Sequence, residues 1–337
     1  MMSDRTSKIT SQQTPVFLLT GFLGSGKTSL LSRLIHRPEL SDTAVIINEF
    51  GKIGLDHMLV DQSSDTDIIL LDSGCLCCAM SGSLQESLES LYYRRLRKEI
   101  PHFERIVIET SGLADPGAII NSIGGDPAVA RRFRLAGVIT TVDSVHGTKT
   151  INTYKEAAAQ LAVADHIVLT KTDLLESSTT IQELKFELER NHSYAEVHIG
   201  QTLDKDDIGR LLISTEAVCM RQTGNLATKP QSTVLGHVFR YGITAHTFHI
   251  DKPVHWEAYA SWVHNMQRRH GESLLRAKGI LRMEDGEYYA VHGVRHLFSA
   301  PLRLQRTIDP AQQGALILIT EKLSWQELED TVALLQG

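Results

Sequence analysis

The stretch that most restricts what this chain can become is residues 15–36. There an apolar run, Val16-Phe17-Leu18-Leu19, leads into Gly21-Phe22-Leu23-Gly24-Ser25-Gly26-Lys27-Thr28, after which Leu30, Leu31, Leu34 and Ile35 recur at helical spacing. Buried strand, glycine loop and helix in this order make a phosphate-binding loop of the form G-x-x-x-x-G-K-[ST]. The glycines let backbone N–H groups turn inward around a phosphate chain, and the helix N-terminus adds partial positive charge. Lys27 is positioned to reach the β- and γ-phosphates and Thr28 to offer its hydroxyl to Mg²⁺. Gly21, Gly24, Ser25, Gly26 and Ser29 complete the candidate nucleotide contacts. A chain of this length meets the pattern by accident roughly one time in a hundred.

Other features narrow the class. A formal charge of −6 with no dominant basic stripe argues against a general nucleic-acid binder. No apolar run reaches membrane-spanning length, and residues 1–14 are polar, without the apolar core of a targeting sequence. Four cysteines, three of them within four residues, suggest a metal or redox site in a reducing compartment rather than a disulfide framework. The expectation is a cytoplasmic protein that engages neither membrane nor nucleic acid.

Further short apolar runs follow: Ala44–Ile47, Ile68–Leu71, Arg105–Glu109, Val138–Asp143 and His166–Thr170. Between them lie helical stretches, one carrying Leu84, Leu88, Leu91 and Leu96 on one side. This alternation predicts an α/β fold, a mostly parallel sheet covered by helices on both faces. Ligands of such sheets sit at the carboxyl ends of the strands, and the polar clusters here are read as falling there. Glu109 ends one strand and Gly112 lies three residues on; with Lys27 they are the candidate catalytic residues. An acidic side chain at this point holds the water shell of Mg²⁺ or orients the attacking water, and the glycine N–H faces the γ-phosphate.

Thr170-Lys171-Thr172-Asp173 ends another strand and resembles N-K-x-D, the guanine-reading element, with Thr in place of Asn. The Asp173 carboxylate can accept from guanine's ring N–H and amino group, a donor pair that adenine lacks, while the Lys171 stem lies along the base. GTP is therefore favoured over ATP.

Cys75-Leu76-Cys77-Cys78 reads as an extended turn in which Cys75 and Cys77 point the same way and Cys78 swings in if the chain bends. Thiolates select Zn²⁺, Cu⁺ or similar ions, and three of them leave a tetrahedral site one ligand short, which suits transfer better than a closed structural site. Cys219 falls in the predicted linker.

GFLGSGKTSLL, NEFGKIGLD, CLCC, ETSGLADP and TKTD, in this order and spacing, resemble the CobW/YjiA family of metal-handling GTPases. LLRAKGILRM and GVRHLFSA extend the resemblance into that family's C-terminal domain. It implies a P-loop GTPase related to the nickel-insertion GTPases of urease and hydrogenase, which binds Zn²⁺ or Co²⁺ beside GTP and Mg²⁺ and hands the ion to a client metalloprotein or to cobalamin synthesis. It also implies phosphate and Mg²⁺ contacts at Gly24–Thr28, a nucleotide-responsive segment with Glu49 and Asp56, and a metal motif at Cys75, Cys77 and Cys78. Glu109 and Gly112 then belong to the second switch, and Lys171 and Asp173 read guanine. Glu49 joins the metal set with Thr28. Where some relatives carry glutamates on either side of NEFG, this chain has Ile47 and Lys52, neither of which can ligate a metal. With no arginine finger identifiable, hydrolysis is expected to be slow without a partner. A homodimer is compatible with this reading but not fixed by it, and the alternative is a metal-sensing GTPase switch that delivers no metal.

The predicted organisation is a disordered tail over 1–14, a GTPase domain over 15–215, a linker over 216–233 and a smaller α+β domain over 234–337. In that last part Trp256, Tyr259, Val263 and Met266 lie at helical spacing and read as core. His246, His249, His292 and His296 read mainly as dispersed histidines, with a weak second metal reservoir as the sharper alternative.

Replacing Asp173 by Asn is expected to weaken GTP by about 1.5–3 kcal/mol and relax its selectivity, because an amide cannot accept both guanine hydrogen bonds. GTP and ATP competition curves identical to wild type would mean that guanine is read elsewhere.

Overall fold

β1 (Thr14–Thr20) buries apolar side chains on both of its faces. Val16 and Leu18 enter one core, Phe17 and Leu19 the other. A strand covered on both sides belongs inside a parallel sheet, and β1 lies between two parallel neighbours. The computed structural model describes residues 13–48, 68–70, 76–79, 83–175, 177–192, 194–212, 241–304, 308 and 310–336, with backbone alone at 48, 68–70, 76–79 and 311. After β1 come α1 (Lys27–Leu34), β2 (Thr43–Asn48), β3 (Ile68–Leu70), β4 (Leu76–Ala79), α2 (Leu84–Leu96), β5 (Arg105–Thr110), α3 (Pro116–Gly124) and the single turn α4 (Pro127–Ala130). Then follow β6 (Phe133–Asp143), α5 (Gly147–Thr153), α6 (Lys155–Ala162), β7 (His166–Thr170), α7 (Ser178–Asn191), β8 (Glu196–Ile199) and α8 (Lys205–Leu211).

These strands form an eight-stranded sheet in the order β3-β4-β2-β5-β1-β6-β7-β8. All pairs are parallel except β3 with β4. The mostly parallel α/β reading therefore holds, with an antiparallel edge. From β1 the chain crosses to β2 on one side and later places β6 on the other, so the loop after β1 opens at a topological switch point.

Three sequence expectations are corrected. Leu76–Ala79 is not a turn at a strand's end but strand β4, with Cys77 opposite Val45 and Cys78 opposite Ile46 in mid-sheet. Leu96 is 65% exposed, because α2 ends there and its buried stripe stops at Leu91. Thr14, read as tail, is the first residue of β1. The proposed linker 216–233 lies outside the described residues.

The second sheet comprises β9 (Ile243–His249), β10 (Leu274–Arg282), β11 (Tyr288–Val294), β12 (Leu297–Phe298), β13 (Leu302–Arg303) and β14 (Ala315–Glu321), with antiparallel neighbours. Helices α9 (Trp256–His270) and α10 (Trp325–Val332) cover one face through Trp262, Met266, Leu328 and Val332. α10 begins at a capping box in which Ser324 and Glu327 satisfy each other's backbone N–H groups. Of the residues read as core in α9, Tyr259 and Met266 are buried, and Trp256 and Val263 are half-buried against the same cluster.

The opposite face, with Leu275, Ile280, Ile317 and Ile319, joins the core of the first sheet. Charge pins this junction. Arg276 on β10 donates to the Val163 carbonyl at 2.7 Å and to the Asp165 carboxylate. Lys278 reaches the same carboxylate oxygen at 2.7 Å and the Tyr194 carbonyl at 2.9 Å. The second oxygen of Asp165 accepts the Val138 N–H at 2.9 Å. All three charged side chains are buried. Burial alone would raise the Asp165 pKa, but the two cations outweigh it and hold the carboxyl well below its usual range.

Asp165→Ala removes the carboxylate both cations share and is expected to cost about 3–5 kcal/mol in urea unfolding. The sign with pH follows from the depressed folded pKa. The contribution is present above the unfolded pKa of roughly 3.9 and is lost as pH falls through the folded value, so the variant should show less acid destabilisation than wild type. Equal stability of variant and wild type at neutral pH would show that the triad is not what pins the junction.

Candidate functional site: the phosphate loop and its neighbours

The loop between β1 and α1 is held from outside. Gly24 and Gly26 take left-handed backbone angles, with φ of 69° and 86°, which a side chain would strain. Gly26 is the N-cap of α1 and gives it no side-chain cap, and the first turn carries no acidic residue. α2, α3 and α8, by contrast, are capped by Ser83, Asp115 and Asp204. The uncapped N–H groups of α1 are thus left to an anion. Ser25 is buried; its hydroxyl meets that of Thr141 at 2.6 Å, and its carbonyl accepts from the Thr170 hydroxyl at 2.6 Å. The Lys27 ammonium curls back over the loop onto the Gly21 carbonyl at 3.0 Å and the Phe22 carbonyl at 3.4 Å. Ser29, by contrast, is exposed on the first turn of α1.

β5 brings Glu109 and the residues after it beside this loop, because β5 and β1 pair with Glu109 opposite Leu19. The buried Glu109 carboxylate accepts the Thr28 hydroxyl at 2.5 Å. Two hard oxygen donors so close together suit Mg²⁺. Gly112 backs directly onto the loop: a Cβ there would lie 2.6 Å from the Leu23 nitrogen and 2.7 Å from its Cα.

On the other flank, β6 and β7 end side by side. Lys171 has a left-handed φ of 55° and pairs with Asp143 at 2.7 Å. Asp143 also accepts the Val145 and His146 N–H groups at 2.8 and 3.1 Å. Burial pushes the Asp143 carboxyl up, but these donors, led by Lys171, hold it below the usual range. A cavity of about 270 Å³ lies between loop and flank, lined by Phe22, Ser25, Thr141, Asp143, His146 and Lys171. Asp173 is exposed in the 3₁₀ turn Thr172–Leu174. Thr172 beside it donates to Gln201 at 3.0 Å, in the turn Gly200–Thr202 that follows β8.

The structure thus gathers Ser25, Lys27, Thr28, Glu109, Gly112 and Lys171 around one loop, with Asp173 one turn away. Cys77 and Cys78 lie on β4, a sheet neighbour of β2. Glu49, Asp56 and Cys75 fall outside the described residues. Sequence reasoning missed Thr141, Asp143 and Gln201. Asp143 carried a signal, an acid ending an apolar strand; a lone Thr and a Gln carried none. Of the histidines, His246 is buried near Trp325, His249 is exposed beside Asp251 and His292 is buried within β11. They form no three-ligand group among the described residues.

An uncapped helix behind a glycine loop, a lysine folded over it and an acid–threonine pair at its side define a P-loop nucleotide site, and the family to which the chain belongs makes it a GTPase. The chain belongs to the CobW/HypB/UreG family, whose nucleotide-binding domain matches residues 15–198, while residues 243–335 match the cobalamin synthesis protein cobW C-terminal domain. It is 34% identical over 287 residues to the zinc chaperone YjiA of Escherichia coli, covering 85% of this chain and 87% of that one. It is 28% identical over 320 residues to the zinc-regulated GTPase metalloprotein activator 1 of Schizosaccharomyces pombe, covering 84% and 76%. The crystal structure of Zn(II)-bound YjiA GTPase from E. coli superposes with a TM-score of 0.70 at 31% identity, over 96% of this chain and 99% of that one.

Gly112→Ala should weaken GTP binding by about 1–3 kcal/mol, the usual range for overpacking, because the added methyl can only displace loop backbone. Calorimetric titration of GTP checks this, and an unchanged affinity would show that the loop yields freely at Leu23.

Proposed function

We propose that this protein is a GTP-hydrolysing metallochaperone that binds Zn²⁺, with Co²⁺ as the alternative, at Cys75, Cys77 and Cys78 and hands it to a client metalloprotein as GTP turns over. The observation that carries the reading is the position of β2. It pairs with β4, the cysteine strand, on one side and with β5, the Glu109 strand, on the other. Ile47 is opposite Ala79 and opposite Glu109, so one cross-sheet row joins the end of the metal strand to the acid beside the phosphate loop. The names of the relatives, a zinc chaperone and a zinc-regulated GTPase, point the same way.

In this mechanism GTP seats its phosphates on the loop and the N-terminus of α1. Lys27 leaves the Gly21 and Phe22 carbonyls for the β- and γ-phosphate oxygens, and the Gly112 N–H turns to the γ-phosphate. Thr28 and Glu109 would hold Mg²⁺, which when bound supplies neutralising charge on the phosphates. Binding therefore draws Glu109 and the 110–114 loop toward the nucleotide, and hydrolysis releases them. Asp173 selects guanine, with Lys171 along the base. Because β2 is packed between the acid's strand and the cysteines' strand, the two sites feel each other, and the ion is held in one nucleotide state and released in the other. Ile47 and Lys52 leave the cysteines without accessory carboxylates at those positions, an arrangement that favours release.

The test is thermodynamic linkage. Zinc affinity, measured against a chelating dye, should differ between GTP- and GDP-loaded protein by a factor of roughly 5–150, and zinc should alter GTP affinity by the same factor. Changing Cys75, Cys77 and Cys78 together to Ser should abolish that coupling while GTP still binds, since hydroxyls are far weaker zinc ligands than thiolates. Equal zinc affinity with GTP, GDP and no nucleotide would defeat nucleotide-driven transfer.

A further inference from the structure

On the other side of the sheet from the buried Asp165 lies a second polar cluster, which the proposed mechanism does not use. β7 and β8 run parallel with His166 opposite Glu196 and Val168 opposite His198. Paired residues, and residues two apart, share a face, so His166, Glu196 and His198 stand together. Val168, between them in register, packs into the core beneath α1 and α8. All three polar side chains are buried. Strand interiors on a covered face normally carry aliphatic residues; three polar ones on neighbouring strands need a shared reason.

One His166 ring nitrogen, Nδ1, lies 3.2 Å from His198 Nε2, which is 4.0 Å from a Glu196 oxygen. One donor atom from each of the three residues falls within 4.8 Å of the others, the sole such trio of His, Cys, Asp or Glu among the described residues. Zinc–nitrogen bonds of about 2.0–2.1 Å at tetrahedral angles put neighbouring donors roughly 3.3–3.4 Å apart, so the two histidines already stand at that spacing and Glu196 has to close in by a fraction of an ångström on His198. Burial keeps both imidazoles neutral, the ligating form, with His166 lowered to about 3 and His198 also lowered. The other ring nitrogen of His166, Nε2, is buried without a hydrogen-bond partner among the described residues.

The surroundings match those of a metal ligand set. Asp207, on α8, lies 3.5 Å from His198 Nδ1. A carboxylate there accepts a hydrogen bond from Nδ1–H and leaves the Nε2 lone pair facing Glu196 and His166, the carboxylate–histidine arrangement that orients zinc ligands. Arg210 is the opposing charge: its Nε lies 3.3 Å from Glu196. That guanidinium is 44% exposed and is also paired to Asp207, so it can swing off Glu196 and keep a partner. Asp207 and Arg210 form the solvent side of the cluster, and access to it runs past them.

We propose that His166, Glu196 and His198 form a divalent-cation site of zinc type on the α8 face of the sheet, separate from the cysteine strand. Two imidazoles and one carboxylate suit Zn²⁺ and Co²⁺ and disfavour Mg²⁺. The set leaves a fourth position for water. The turn Gly200–Thr202, whose Gln201 accepts from Thr172 next to Asp173, starts two residues after His198.

The experiment uses the full chain with all four cysteines changed to Ser, so that no thiolate remains and the outcome is independent of the cysteine site. Zn²⁺ is titrated against a chelating dye, and melting is followed with and without Zn²⁺. The expected result is one bound equivalent and a zinc-dependent rise in melting temperature. Adding His198→Gln or Glu196→Gln should each weaken binding at least tenfold and abolish the rise. Circular dichroism and GTP binding report whether each variant is folded; should His198→Gln fail to fold, Glu196→Gln decides. The proposal is overturned if the cysteine-free chain binds no zinc, or if a folded variant keeps its zinc affinity.

Discussion

The phosphate loop is held by contacts that belong to other strands. Its carbonyl at Ser25 hangs from Thr170 on β7, and its Ser25 hydroxyl from Thr141 on β6. Its tip rests on Gly112 after β5, with no room for a methyl between them. The loop shape that leaves the N–H groups of α1 available is thus imposed by three strand ends at once. Without the sheet order that puts β5 and β6 on either side of β1, those ends would not converge. Everything else at the site depends on this convergence, including the meeting of Thr28 with Glu109 and of Lys171 with Asp143.

The parts of this architecture legible in the sequence are those where one local segment carries the whole signal. G-x-x-x-x-G-K-T names its own geometry, and apolar runs such as Val16–Leu19 and Ile106–Ile108 cannot be anything but buried. Where the signal is shared between distant segments, the sequence is silent. Thr170 looked like a weakened guanine motif, yet its hydroxyl holds the loop, a role visible only once β7 lies near β1. Cys77 and Cys78 looked like a turn because cysteines three in four suggest a ligand loop; pairing with β2 and β3 makes a strand of them. β8 escaped detection because Glu196 and His198 are polar residues on a covered face, the reverse of what strand periodicity looks for. Spacing alone puts Leu96 on one side with Leu84, Leu88 and Leu91, but the helix ends at it.

The division of labour among the charged groups is equally uneven. Exposed pairs such as Arg97 with Glu99 contribute little to stability. The buried ones sit where two layers meet: Asp165 with Arg276 and Lys278 lies between the sheets, and Glu196 lies under α8, where the exposed Arg210 reaches it. Buried charges of this kind fix which surfaces face each other more than they add free energy.

Helix α6 is a party wall. On one side the Gln160 amide donates to the carbonyls of Gly112, which backs the phosphate loop, and of Ala114 just after it. On the other, Lys155 is tied to Glu321 on β14 at 2.7 Å, and Val163, just past its end, accepts from Arg276. Packed protein interiors compress little, so displacement of the 112–114 loop is not absorbed within the wall. Either the Gln160 bonds break or the load passes to β10 and β14. The second sheet therefore serves as an abutment for the nucleotide site: the stiffness of that loop is set in part by strands far along the chain, across α6 from it.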